Sequence, residues 1–226
     1  MSSVKRISSW NLIKFLCCPP CPRNIAEKVA FMPPSPPSYE IVSLDERPSE
    51  IILKISLEIE GNYLKNVLRY DVRFVKTLLK NDIVVLYIKC VEKAPFTIIY
   101  SHGNAVDVGL ILSACINLSL CVKCDVVTYD YSGYGQSKGK PSETNLNADI
   151  RAALDYTLNI HEPNLEKIIL YGQSLGTVPT LNLASQVSCA GVILHAPMTS
   201  ALQVACGEQR CCRCWDSFNK YVFLSN

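Results

Sequence analysis

Histidine is scarce in this chain. Its 226 residues contain three, His102, His161 and His195, and none follows His195. Any reaction that needs an imidazole base must draw on one of these or on another chain. Net charge is small as well. Lys and Arg number 22 against 20 Asp and Glu, a balance of +2, so no field argues for nucleic acid as a partner. No apolar run reaches the ~18 residues that a membrane-spanning helix needs. A cleavable export signal is missing too. Lys5 and Arg6 precede the apolar stretch Trp10–Cys17, but Asn11 and Lys14 interrupt it, and Pro19, Pro20 and Pro22 occupy the place of a small-residue cleavage site. Without export the compartment is read as reducing, which argues against a disulfide framework.

What is present is a hydrophobic content of 49%, enough for one domain with a buried core, and twelve cysteines. Six of the cysteines form two tight clusters, Cys17/Cys18/Cys21 and Cys211/Cys212/Cys214. Cys18–Cys21, Cys121–Cys124 and Cys211–Cys214 have the C-x-x-C spacing of zinc ligands, yet they sit in unlike segments with no histidine partner, so no metal is expected. Cys90, Cys115 and Cys189 lie in apolar runs and read as small core residues. No cofactor is implied.

Three regions follow from composition. Residues 1–31 are basic and amphipathic: Trp10, Ile13, Phe15 and Leu16 can share one side, with Lys5, Arg6, Lys14 and Arg23 nearby. This segment is either a helix packed on the domain or an interfacial anchor acylated at Cys17, Cys18 and Cys21. Residues 32–50 hold Pro33, Pro34, Pro36 and Pro37 and read as a stiff linker. Residues 51–226 read as an α/β domain. Strands are expected at Ile51–Ile59, Arg69–Val75, Ile83–Val91, Phe96–Tyr100, Asp125–Tyr129, Lys167–Tyr171 and Ala190–Leu194. Helices are expected at Val106–Leu120, Asn145–Asn159 and Leu175–Gln186. Such alternation predicts a mainly parallel sheet with helices on both faces.

The chemical signal is Gly172-Gln-Ser174-Leu-Gly176, placed between an expected strand and an expected helix. That is the setting of a nucleophile elbow, in which a serine is lifted out of the sheet at a sharp turn. Glycine is expected at both flanks because a side chain there would strike neighbouring backbone. Ser174 is the candidate nucleophile, and the N–H of Leu175 one oxyanion donor. The loop Ser101-His102-Gly103-Asn104 follows an earlier strand and should supply the second donor. Asn104 N–H is the first choice, with Gly103 and Ala105 open. Asp130 reads as a structural turn residue.

Five strings carry a resemblance: C-C-P-P-C-P at 17–22, S-H-G-N-A-V-D at 101–107, Y-D-Y-S-G-Y-G at 129–135, Y-G-Q-S-L-G-T-V-P-T at 171–180 and L-H-A-P-M-T-S at 194–200. With them the chain resembles the alpha/beta-hydrolase domain-containing protein 17 family of membrane-associated protein depalmitoylases, from its N-terminal cysteines to about Ala205. The resemblance implies an α/β-hydrolase fold and thioesterase chemistry on S-palmitoylated membrane proteins. It also implies acylation at Cys17, Cys18 and Cys21. The protein would then sit peripherally on the cytoplasmic face of the plasma membrane and on endosomes.

One departure is large. The family carries its triad Asp and His on later strands, and no position here matches either. Glu208–Lys220 echoes the corresponding region only loosely. His102 and His195 correspond to family histidines that are not the base; His195 ends the strand beside the nucleophile strand and is the one surrogate to weigh. Three readings follow: a depalmitoylase truncated at its C-terminus and impaired, a non-catalytic membrane-anchored binding protein, or an incomplete gene product. Loss of the final strands would leave Ala190–Leu194 as an apolar edge.

Overall fold

The computed structural model describes residues 30–44, 47–55, 67, 69–160 and 164–198. The cysteine clusters at 17–21 and 211–214, His161 and Glu208–Lys220 lie outside the described residues. An antiparallel ribbon pairs β1 (Tyr39–Leu44) with β2 (Arg47–Ile55). A six-stranded sheet contains β3 (Arg69–Lys76), β4 (Asp82–Lys89), β5 (Thr97–Ser101), β6 (Asp125–Tyr129), β7 (Ile168–Gln173) and β8 (Gly191–His195), in the order β3-β4-β6-β5-β7-β8. The β3–β4 and β4–β6 pairs are antiparallel, and β5–β6, β5–β7 and β7–β8 are parallel. Among the described residues three helices accompany the sheet: α1 (Val108–Val122), α2 (Glu143–Ile160) and α3 (Thr177–Ala184).

The sheet is covered on both faces, and that is why its central strands read as continuous apolar runs. Every residue of β5 and β6 is buried. Alternate side chains go to opposite sides. Ile99, Val127 and Leu170 join Leu146, Ile150, Ala153 and Leu154 of α2 and Val178 and Leu183 of α3 in one cluster. Ile98, Tyr100 and Val126 join Val108, Ile111, Leu112, Cys115 and Ile116 of α1 in the other. Those α1 positions recur at the three- and four-residue spacing of one helix face. Asp107 starts α1 by accepting the Leu110 N–H at 3.2 Å, and Lys123 ends it in the left-handed region at φ 55°. Burial pushes the Cys115 thiol up to about 12, as suits a packing residue.

Two local readings differ from the structure. The helix expected from Leu175 opens instead with a 3₁₀ turn, Ser174–Gly176, before α3 begins. The Pro-rich stretch is more than a spacer: it runs into β1, and Ala30, Phe31 and Tyr39 are buried. Tyr39 is fully enclosed because its hydroxyl donates to Asp130 Oδ2, a partner 91 positions away. Among the described residues β8 is a sheet edge, bonded on one side to β7, with Val192 and Ile193 each 43% exposed.

Asp149 ties α2 to the loop after β6. Its carboxylate accepts the Ser132 N–H and the Ser132 hydroxyl, both at 2.7 Å. Burial nevertheless pushes the carboxyl up to about 7, with the two Ser132 bonds opposing the shift. The native state thus holds this proton more tightly than the unfolded chain, whose carboxyl titrates near ~4. The stability contributed by protonated Asp149 is complete below that value and is lost as pH rises through about 7. Asp149→Asn cannot ionise. The parent's melting temperature should fall more steeply than the variant's between about pH 5 and pH 8, and parallel curves would show that the proton is not held there.

Candidate active site

The site is built at the C-terminal ends of the parallel strands, where β5 and β7 run side by side and Ser101 pairs with Gly172. Ser174 is half-buried and holds φ +49°, the left-handed region that a non-glycine residue enters only when its surroundings dictate it. They do so here through two close approaches. A Cβ on Gly172 would lie 2.6 Å from Gly176 O and from Thr180 Oγ1, and a Cβ on Gly176 would lie 2.1 Å from Ser101 O. Both glycines therefore let backbone meet backbone, the steric role expected for them. Thr177 Oγ1 donates to Ser174 O at 2.6 Å and accepts the Met198 N–H at 3.1 Å, so the turn is also tied from its far side. Leu175 is fully buried in the cluster under α2 and α3, and this anchors the peptide whose N–H is the first candidate oxyanion donor.

The loop after β5 lies directly beside the nucleophile. A Cβ on Gly103 would sit 3.7 Å from Ser174 Cβ, an ordinary contact distance. The structure thus brings Gly103 to Ser174, with Asn104 and Ala105 following in the same loop. Ala105 takes φ +61°. The loop is held in place by side chains. Asn104 Oδ1 accepts from Tyr134 Oη at 2.6 Å, Met32 N at 3.1 Å and Ala105 N at 3.1 Å, and its Nδ2 donates to Ala30 O. Tyr131 Oη donates to His102 O, and Ser101 Oγ meets Tyr129 Oη at 2.7 Å. Sequence reasoning missed Ala30, Met32, Tyr131 and Tyr134 as supports of this loop. The tyrosine density at 129, 131 and 134 was a usable signal; nothing local marked Ala30 or Met32.

Two of the three histidines, His102 and His195, are among the described residues. His102 is fully buried, its ring 4.2 Å from that of Tyr131. Its Nδ1 lies 2.8 Å from Gly103 O, and because a carbonyl only accepts, Nδ1 carries the proton. Nε2 has no hydrogen-bond partner and faces Asp130 Oδ1 at 3.5 Å. Asp130 also accepts the Val108 N–H at 2.9 Å. Burial raises its carboxyl above the usual range, opposed by His102 and Tyr39. These bonds make Asp130 a tie between Tyr39 and the start of α1. His195 pairs in register with Gln173 and shares that strand face with Tyr171, whose hydroxyl meets its Nδ1 at 3.0 Å. Neither His102 nor His195 is hydrogen-bonded to Ser174. Among the described residues no group of three His, Cys, Asp or Glu side chains is placed to hold a metal.

Comparison with known proteins agrees with this architecture. The family model for serine aminopeptidase S33 hydrolases matches residues 93–215. Alpha/beta hydrolase domain-containing protein 17C of Mus musculus is 40% identical over 93% of this chain and 73% of its own length. The human 17B protein is 39% identical over 95% of this chain and 74% of its own. A crystal structure of a hypothetical protein from Pseudomonas aeruginosa superposes with a TM-score of 0.51 at 16% identity, over 65% of this chain and 48% of that one, a likeness of fold alone. The sheet order, the elbow and the curated relatives together place this chain in the alpha/beta-hydrolase domain-containing protein 17 family, with an α/β-hydrolase fold.

Proposed function

We propose that this chain is a serine hydrolase of the palmitoyl-protein thioesterase kind, and that the 226 residues by themselves are catalytically impaired. The observation that supports the chemistry most directly is Ser174, held at positive φ between two backbone-contacting glycines, with the Gly103 loop beside its Cβ. An elbow with oxyanion donors stabilises the tetrahedral intermediate of acyl transfer. The impairment rests on the histidines: neither of the two that are described is hydrogen-bonded to Ser174. A serine hydroxyl without a base is a weak nucleophile, and triad loss leaves ~10³–10⁴-fold acceleration over water. The substrates would be S-palmitoylated membrane proteins, reached by a chain anchored peripherally through acyl groups on Cys17, Cys18 and Cys21.

A thioester suits such a site. Its thiolate leaves without protonation, so Ser174 Oγ can attack the carbonyl carbon slowly, the C–S bond breaks and the serine proton passes to water. Deacylation then lacks a base to activate water. The chain incubated with a palmitoyl-thioester peptide should accumulate, over hours, a palmitoyl adduct on the peptide containing Ser174, absent in Ser174→Ala and mapped by mass spectrometry. Binding of the thioester with no adduct would favour the non-catalytic membrane-anchored reading. The anchor is tested apart from the chemistry. Replacing Cys17, Cys18 and Cys21 together with Ser should move most of the protein from the membrane pellet to the soluble fraction of cells. An unchanged distribution would remove the lipid anchor from the account.

A further inference from the structure

The chain reverses between β3 and β4 through Thr77–Asn81. Lys80 N–H donates to Thr77 O at 2.9 Å, Thr77 N–H to Asn81 O at 2.8 Å and Asn81 N–H to buried Thr77 Oγ1 at 3.1 Å. Lys80 itself sits at φ +66°. The outer positions of such a turn are ordinarily polar, because they face water. Here they are Leu78 and Leu79, 79% and 48% exposed. A closed, side-chain-braced turn thus presents two adjacent leucines at its tip, which a single stray surface leucine does not resemble.

The tip has a basic collar. Lys76 and Lys80 flank the leucines, and both are exposed. The loop Lys138–Lys140 lies against the same turn: Lys138 N–H donates to Asp82 O at 2.8 Å, and a Cβ on Gly139 would meet the Asn81 side chain at 2.7 Å. Lys138 and Lys140 are exposed as well. Of the acids close by, Asp82 is paired with Lys76 at 2.7 Å, and Asp155 lines the groove beside Leu78. The position matters as much as the composition. The Lys76–Asp82 pair and the Val85–Tyr129 register put the tip beyond the C-terminal ends of the parallel strands. Ser174 and the Gly103 loop emerge at that end. So does Met32, 55% exposed, whose N–H donates to Asn104 Oδ1 and which leads back to the basic, cysteine-rich residues 1–29.

We infer that the Leu78–Leu79 tip and its lysines form a docking surface for an anionic bilayer, which turns the Ser174 end of the sheet toward the membrane. Apolar side chains enter the headgroup boundary while lysines meet anionic lipid; this is how interfacial segments bind. The surface belongs to the hydrolase domain, so it acts whether or not the N-terminal cysteines carry lipid and whether or not Ser174 reacts.

The test uses the full, unacylated 226-residue chain with vesicles of phosphatidylcholine, alone or mixed with phosphatidylserine. Because residues 1–29 are basic and rich in cysteine, variants are compared with the parent that carries the same segment. The double variant Leu78→Ser/Leu79→Ser should lower partitioning onto phosphatidylserine vesicles by about tenfold or more. Lys80→Glu/Lys138→Glu should lower it too and flatten its salt dependence. In the parent, amide exchange across residues 78–81 should slow when phosphatidylserine vesicles are added. Melting curves establish that each variant folds; should the leucine variant fail, the lysine variant and the parent's amide exchange decide. Equal partitioning of parent and folded variants, or exchange at 78–81 unchanged by vesicles, would overturn the inference and leave the tip to a protein partner.

Discussion

Gly176→Ala is expected to lower the melting temperature of the chain by about 10 °C, the loss that follows from ~3–5 kcal/mol of overpacking at ~2–4 °C per kcal/mol in a chain this long. The added Cβ would stand 2.1 Å from Ser101 O, 2.6 Å from Ser101 C and 2.8 Å from His102 O. All three are backbone atoms, so no side-chain rotation relieves the overlap. Either β7 parts from β5 at the Ser101–Gly172 pair, or the 3₁₀ turn that carries Ser174 moves away from the loop. Two glycines serve as controls. A Cβ on Gly191 meets nothing within 4 Å, so Gly191→Ala should melt close to the parent. On Gly103 it would make ordinary contacts of 3.7 Å with Gln173 O and Ser174 Cβ, so Gly103→Ala should also fold while crowding the nucleophile. Equal melting of Gly176→Ala and the parent would mean that the elbow does not pack against β5 as described.

The elbow was the most legible part of the molecule. A β-branched apolar run, a G-x-S-x-G turn and a helical stretch are contiguous in the chain, so one window held the whole motif. Strands β5 to β7 were legible for a related reason: each is short, apolar and covered on both faces or one, and periodicity reports burial, whereas β8 was legible from its apolar residues although none of them is buried among the described residues. What could not be read were contacts between distant segments. Tyr39 owes its burial to Asp130, and the Ala30–Met32 strap owes its place to Asn104 and Tyr134. No local pattern marks such pairs, and four prolines beside the strap suggested a spacer. His102 shows the same limit. The sequence put a histidine in the oxyanion loop, but only the fold shows its ring enclosed by Tyr131 and its Nδ1–H spent on Gly103 O.

The largest functional effect should appear at Ser174. The elbow sets its geometry, and the N–H groups of Leu175, Gly103 and Asn104 are the candidate donors, Ala105 N–H being taken by Asn104 Oδ1, yet neither described histidine is hydrogen-bonded to it. His195 is the nearer question. It shares a strand face with Gln173, but its Nδ1 engages Tyr171 Oη on an exposed edge. A base acts only within hydrogen-bond reach of the proton it takes. The direct measurement is labelling of the 226-residue chain by a fluorophosphonate, with Ser174→Ala and His195→Ala beside it. Weak labelling is expected, slow and lost in Ser174→Ala but unchanged in His195→Ala, ~10³-fold or more below that of a hydrolase with its triad intact. Labelling as fast as that of an intact hydrolase would contradict impairment, and its loss in His195→Ala as well as in Ser174→Ala would make His195 the base.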